Sequence, residues 1–146
     1  MSKVVIYGGS GGIGSATARR LAERGFHVHL VGRDRARLEA VAKKTGGTFS
    51  VADVEDPTSF AQVMADADSA LAGLVYAVGT ITLRPLARLS EDDFQRDFRI
   101  NALGAALAVQ AALPSLKAFS GTPSIVLFSS VAVAQGFASH ASVAMA

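Results

Sequence analysis

Val4-Val5-Ile6-Tyr7-Gly8-Gly9-Ser10-Gly11-Gly12-Ile13-Gly14 is the stretch from which the rest of the chain is read. The first four residues form a continuous apolar run, as a strand buried on both faces does. The glycines that follow permit a tight turn. Residues 13–24 then carry Ile13, Thr17 and Leu21 at i, i+4 and i+8, one face of a helix. A glycine loop between a strand and a helix lets a pyrophosphate approach the backbone, where the helix N-terminus offers free N–H groups and a partial positive charge. Gly9, Gly11 and Gly14 match G-x-G-x-x-G literally. That spacing alone is a weak signal; it becomes strong when the surrounding chain repeats strand and helix in the same order.

The chain does so. His27-Val28-His29-Leu30-Val31, Thr48-Phe49-Ser50-Val51, Leu74-Val75-Tyr76-Ala77-Val78 and Ile125-Val126-Leu127-Phe128 read as four further strands. Gly25 is placed to stop the first helix. Asp34 is expected to cap a helix that ends near Lys43-Lys44, with Gly46 after it. Asp56-Pro57 is expected to open another helix as cap and first residue, continuing through Phe60, Val63 and Met64. Ser90 caps a longer one, with Glu91, Asp92 and Asp93 at the positive end of its dipole and an apolar pattern from Phe94 to about Leu116. Strands alternating with helices predict an α/β fold with a doubly wound parallel sheet of Rossmann type, one domain over residues 1–146. His27 and His29 alternate on a strand and read as structural.

Composition narrows the functional classes. With 146 residues, 50% hydrophobic and 18% charged, the chain has the apolar content of a folded domain and not of a disordered one. It has no cysteine, which excludes disulfides and thiolate metal sites, and no metal centre is expected. No uninterrupted apolar run is long enough to span a bilayer, so no membrane partner is expected. The N-terminus enters a strand without a leader pattern, and a cytoplasmic location is the default reading. Charge is uneven: residues 1–50 hold nine basic and three acidic groups, residues 51–100 four basic and nine acidic, and residues 101–146 only Lys117. The basic first third suits an anionic ligand. A nucleic acid is the weaker choice, because no recognition motif or aromatic platform accompanies the charge.

Gly8-x-x-x-Gly12-Ile13-Gly14 resembles the TGxxxGIG loop of the short-chain dehydrogenases/reductases, with Tyr7 at the threonine position. The resemblance covers the whole chain. Asp53-Val54 matches the family's adenine-contacting aspartate segment, and Tyr76-Ala77-Val78-Gly79 stands where the family has NNAG. Asn101 matches the asparagine of the long helix, and Ser129-Ser130 the catalytic-serine segment. The resemblance implies cofactor contacts at Gly8, Ser10, Gly12, Ile13, Gly14, Arg33, Asp53, Val54, Ala77 and Gly79. At the end of the second strand an acid selects NAD, whereas an arginine accommodates the 2′-phosphate of NADP. Gly32 stands at the acid's position and Arg33 follows it, so NADP(H) is the expected cofactor. Asp34 fits better as a helix cap. Arg35 and Arg37 either add to the positive field or form a solvated helix face, the second being the preferred reading for Arg37.

The same resemblance implies hydride transfer between the nicotinamide and a carbonyl or alcohol substrate. Ser130 would hydrogen-bond the substrate oxygen and Asn101 would maintain a water relay. Counting from Ser130, the position of the family's proton-donating tyrosine falls on Val143, and its lysine would stand just past Ala146. His140 is the nearby alternative, since an imidazole of pKa about 6.5 moves a proton at neutral pH; its plainer reading is an ordinary loop histidine. Family members continue well beyond the serine strand. The chain is therefore expected to be a fragment or an obligate oligomer, with Ile125–Phe128 as an apolar sheet edge that invites association. The leading reading is an NADP(H)-dependent oxidoreductase. The alternative is an NADP(H)-binding protein that has lost catalysis and acts as a sensor or interaction partner.

Overall fold

The apolar runs become the five strands of one parallel sheet in the computed structural model, which describes residues 2–146. They are β1 (Lys3–Tyr7), β2 (His27–Gly32), β3 (Thr48–Val51), β4 (Leu71–Tyr76) and β5 (Ser124–Leu127), in the spatial order β3-β2-β1-β4-β5. The chain winds outward from β1 to β3, then returns to the other side of β1 to lay down β4. That reversal leaves a crevice at the C-terminal ends of β1 and β4, the place where open α/β sheets bind ligands.

Both faces of the sheet are covered over its central strands β2, β1 and β4. Helices α1 (Gly12–Glu23) and α2 (Arg35–Thr45) close one face over Val4, Ile6, Val28, Leu30 and Leu38. Helices α3 (Ser59–Ala67) and α5 (Gly104–Lys117) close the other over Val5, Tyr7, Val31, Leu74 and Tyr76. Side chains alternate across a strand, so Val4 and Ile6 serve one core while Val5 and Tyr7 serve the other. Helix α4 (Glu91–Phe98) runs into a π-helical turn (Arg99–Leu103) and then into α5; a short α6 (Ala141–Met145) packs near α4.

The caps follow the sequence. The Asp34 carboxylate accepts from Arg37 N–H at 3.0 Å, Gly46 ends α2 at φ +64°, and Ser90 forms a reciprocal capping box with Asp93. Three local expectations are corrected. On α1 the buried residues are Gly14 and Ala18, with Ile13 turned outward, because the helix starts so close to β1 that only a glycine fits. Asp56 closes a turn by accepting from Thr58 N–H and Oγ1–H, and α3 begins later, at Ser59. Strand β4 starts at Leu71 rather than Leu74 and stops at Tyr76. Gly73 stays within it because the β5 backbone comes close there.

His29 is structural, as its alternation indicates, and buried. Its Nδ1 lies 2.8 Å from Thr48 Oγ1 and its Nε2 2.9 Å from Ser50 Oγ, while Ser50 Oγ donates to Asp66 Oδ2 at 2.5 Å. With the serine proton on Asp66, Nε2 carries the imidazole proton and Nδ1 accepts from Thr48. Strand β5 forms one edge of the sheet and is exposed along its length. Among the described residues no helix is long and apolar enough to cross a membrane.

Candidate functional site

The glycine loop is folded by its own backbone. Gly8 and Gly9 N–H both donate to Val31 O, at 2.8 and 3.0 Å, which ties the loop to the end of β2. Gly8 adopts φ +76°, and a Cβ there would collide with the carbonyl of Ala77. A Cβ on Gly14 would collide with the carbonyl of Gly8. A Cβ on Gly12, in contrast, would meet nothing within 4 Å. Gly11, the residue before α1, has no side chain to cap the helix, so no side chain occupies the first N–H groups of α1. This is a cradle for an anion.

From the loop a cleft of about 290 Å³, the more polar of two neighbouring hollows, runs across the ends of β1, β2 and β4. Gly8, Ser10, Arg33, Asp53, Val54, Ala77 and Gly79 all line it. Gly12, Ile13 and Gly14 do not; Ile13 faces a second hollow, described below. At the β2 end of the cleft stand Arg33, Asp34 and Arg37. The Asp34 carboxylate already serves as the cap of α2. Arg37 is exposed, as the preferred sequence reading has it, and from that position its Nη2 donates to Ser10 O at 3.0 Å, bringing a second guanidinium to the cleft. Arg35 turns away to lie over the Phe49 ring, 5.6 Å from its centroid.

At the other end, Asp53 Oδ1 accepts from Glu55 N–H at 3.0 Å, and Glu55 lies 3.5 Å from Arg96 Nε across the cleft. The floor holds Tyr7, whose ring is 5.8 Å from both Phe60 and Tyr76. Burial pushes the pKa of both phenols up, with Tyr76 adding to the effect on Tyr7 and Asp53 to that on Tyr76. Both therefore remain protonated. Tyr7 Oη is the one buried side-chain polar atom without a partner among the described residues.

Beyond Gly79 the cleft opens into a larger hollow of about 950 Å³ with a mostly apolar lining. Ile13, Ala105, Val109, Leu127, Val133 and Val143 supply apolar walls; Asn101 and Ser130 are polar points on them. Asn101 lies in the π-turn and is bound reciprocally to one residue. Its Oδ1 accepts from Thr80 N–H and its Nδ2 donates to Thr80 O, both at 2.8 Å. Ser130 Oγ accepts from Ala132 N–H at 3.1 Å, which leaves its own proton free to donate. His140 is not among the residues lining either hollow: its Nδ1 donates to Ala138 O at 2.6 Å and its ring lies 5.5 Å from Phe137.

The structure thus joins two neighbouring spaces, one with paired arginines at its β2 end and an α1 start that no side chain caps, the other apolar with a hydroxyl and an amide. The family model described as short chain dehydrogenase matches residues 2–143. The chain is 35% identical over 136 residues to 3-dehydrosphinganine reductase TSC10A of Arabidopsis thaliana, covering 87% of this chain and 41% of that one. It is 37% identical over 137 residues to Senescence-associated protein 13 of the same plant, covering 88% and 51%. A solved short chain dehydrogenase/reductase family protein superposes with a TM-score of 0.90 at 30% identity, over 98% of this chain and 61% of that one. The chain spans about half the length of the two curated relatives.

Proposed function

The chain belongs to the short chain dehydrogenase family, and from that premise we propose that it binds NADP(H) as the nucleotide-binding part of an oxidoreductase acting on carbonyl or alcohol substrates. One observation carries the choice of cofactor. Two guanidiniums, Arg33 and Arg37, line the cleft where β2 ends against one carboxylate, Asp34, whose Oδ1 caps α2. A ribose 2′-OH needs a free acceptor there; a 2′-phosphate needs cations.

The residues present fit the cofactor as a whole. The space above Gly12 and the uncapped start of α1 suit a pyrophosphate. When bound, the nicotinamide supplies or accepts a hydride. The chain's own part is to hold the reacting carbon in the apolar hollow, away from water, and to fix its oxygen. Ser130 would donate a hydrogen bond from its free hydroxyl to that oxygen and keep its proton, stabilising the charge that develops there. Asn101 presents a fixed amide beside it. Val143, on the same wall, has no proton to give.

Titration of the chain with NADPH and NADH tests the cofactor reading. NADPH is expected to bind at least about tenfold more tightly, the scale of one charge-assisted phosphate contact. Arg33→Ala is expected to remove most of that difference by weakening NADPH alone. Equal affinities in the unaltered chain would refute the assignment. Oxidation of NADPH in the presence of a panel of ketones and aldehydes tests the oxidoreductase reading; tight binding without turnover would favour a cofactor sensor.

A further inference from the structure

We infer that Tyr76 is a positioning residue whose hydroxyl pins the π-turn at Arg99–Leu103 and thereby fixes Asn101 at the junction of the polar cleft and the apolar hollow. The turn disrupts the ordinary helical ladder. Gly104 N–H bonds to Arg99 O, five residues back, and so is not available to Ile100 O, its partner in an α-helix. A buried carbonyl left without a donor is unfavourable. Tyr76 Oη fills the vacancy from the end of β4, donating to Ile100 O at 2.6 Å. The phenol is protonated throughout the working pH range, since burial and the Asp53 charge disfavour the phenolate.

The surroundings are shaped for this contact. A Cβ at Gly104 would fall on Tyr76 Oη, so a glycine is needed where the hydroxyl enters the helix. The Tyr7 ring, 5.8 Å away, backs the Tyr76 ring. The turn is held on both sides: Asp97 in α4 accepts from Thr82 N–H and Oγ1–H, and Ala108 and Ala112 bury α5 in the core. Between these anchors the turn presents Ile100 to the polar cleft and Asn101 to the apolar hollow. Asn101 in turn holds both backbone groups of Thr80, which lines both spaces. Without the Tyr76 hydroxyl, Ile100 O finds a donor only by admitting water or by shifting the turn, and either displaces Asn101. The catalytic meaning of Asn101 rests on the proposed oxidoreductase reading; its placement by Tyr76 does not.

Hydrogen exchange and side-chain amide resonances of the cofactor-free chain, followed by NMR in Tyr76→Phe, test the placement separately from that reading. The phenyl ring keeps the packing and removes only the hydroxyl. The Thr80 amide is expected to exchange about tenfold faster, the loss of one net hydrogen bond in local opening. The Asn101 side-chain amide should move toward solvent-exposed shifts. The Ala77 amide, bonded to Tyr7 O in the sheet, should keep its protection. Unchanged Thr80 and Asn101 signals would overturn the inference, as would a uniform loss of protection that includes Ala77. A second measurement needs no variant. The Tyr76 hydroxyl proton of the unaltered chain is expected as a slowly exchanging resonance with dipolar contacts to residues 100–101, and its rapid exchange with water would equally overturn the proposal. Failure of NADPH to bind would refute the cofactor reading while leaving these exchange rates as they are.

Discussion

Gly14→Ala is expected to abolish NADPH binding and to lower the stability of the chain by about 3 kcal/mol, the upper range for forcing a methyl group into packed backbone. The added Cβ meets the carbonyl of Gly8 and the Cα of Gly9. Both are backbone, so no side-chain rotation relieves the contact. Either α1 moves off β1 or the loop unfolds, and each route separates the uncapped helix N-terminus from the cleft. A stability loss of this size corresponds to roughly 10 °C in Tm for a domain of this length. Gly12→Ala is the control. Its Cβ points into open space, and alanine suits a helix better than glycine. Its Tm should be held or raised, so any loss of affinity there reports the ligand's approach alone. A Gly14→Ala chain with unaltered melting and unaltered Kd for NADPH would show that the close approach of α1 to the loop is not needed.

Those two glycines show what the sequence conveyed and what it withheld. Spacing marked both as belonging to the loop, and the alternation of apolar runs with capped helices led to the parallel sheet and its switch point. It could not separate a glycine needed for packing from one that leaves room for a ligand, because that depends on which backbone lies opposite. The start of β4 was hidden for a related reason: Ala72-Gly73 reads as a strand breaker until β5 is placed beside it. Arg37 resembled any exposed helical arginine, since its partner, the carbonyl of Ser10, belongs to a different βα unit. The π-turn left no periodic trace, because one extra residue in a helix between two anchors hardly alters the apolar pattern. Tyr7 and Tyr76 stood out only as departures from the family's loop and NNAG positions. The structure brings the two departures into contact and gives Tyr76 a partner in Ile100.

Acid is expected to destabilise the chain between about pH 6.5 and pH 4, by roughly 3 kcal/mol in all, through His29. Burial is the main cause that holds its pKa down to about 4, with the Lys3 charge and His27 acting in the same direction and Asp66 against them. In the unfolded chain the imidazole returns to its ordinary value of about 6.5. Across that interval the unfolded state binds a proton that the folded state refuses, so stability falls as pH falls, by 1.36 kcal/mol for each unit of difference. Above the upper limit His29 is neutral in both states and contributes no slope. Asp56, Asp66 and Asp93 have pKa values held below the usual carboxylate range of 3.8, chiefly by hydrogen bonds from Thr58, Ser50 and Ser90. Their stabilisation is lost as pH falls through that range and lower, and so comes after the histidine's. The hydrogen bonds explain why folding tolerates the imidazole at all: neutral, it is satisfied at both nitrogens, donating to Ser50 and accepting from Thr48. Protonation would turn Nδ1 into a donor facing a threonine hydroxyl that now has to reverse, inside the sheet and beside Lys3. Urea unfolding at intervals between pH 7.5 and 4.5 measures the slope. His29→Gln should be less stable at pH 7.5, since no amide reproduces both contacts, yet lose little more on acidification. A variant that kept the slope of the unaltered chain would assign the proton uptake to another group.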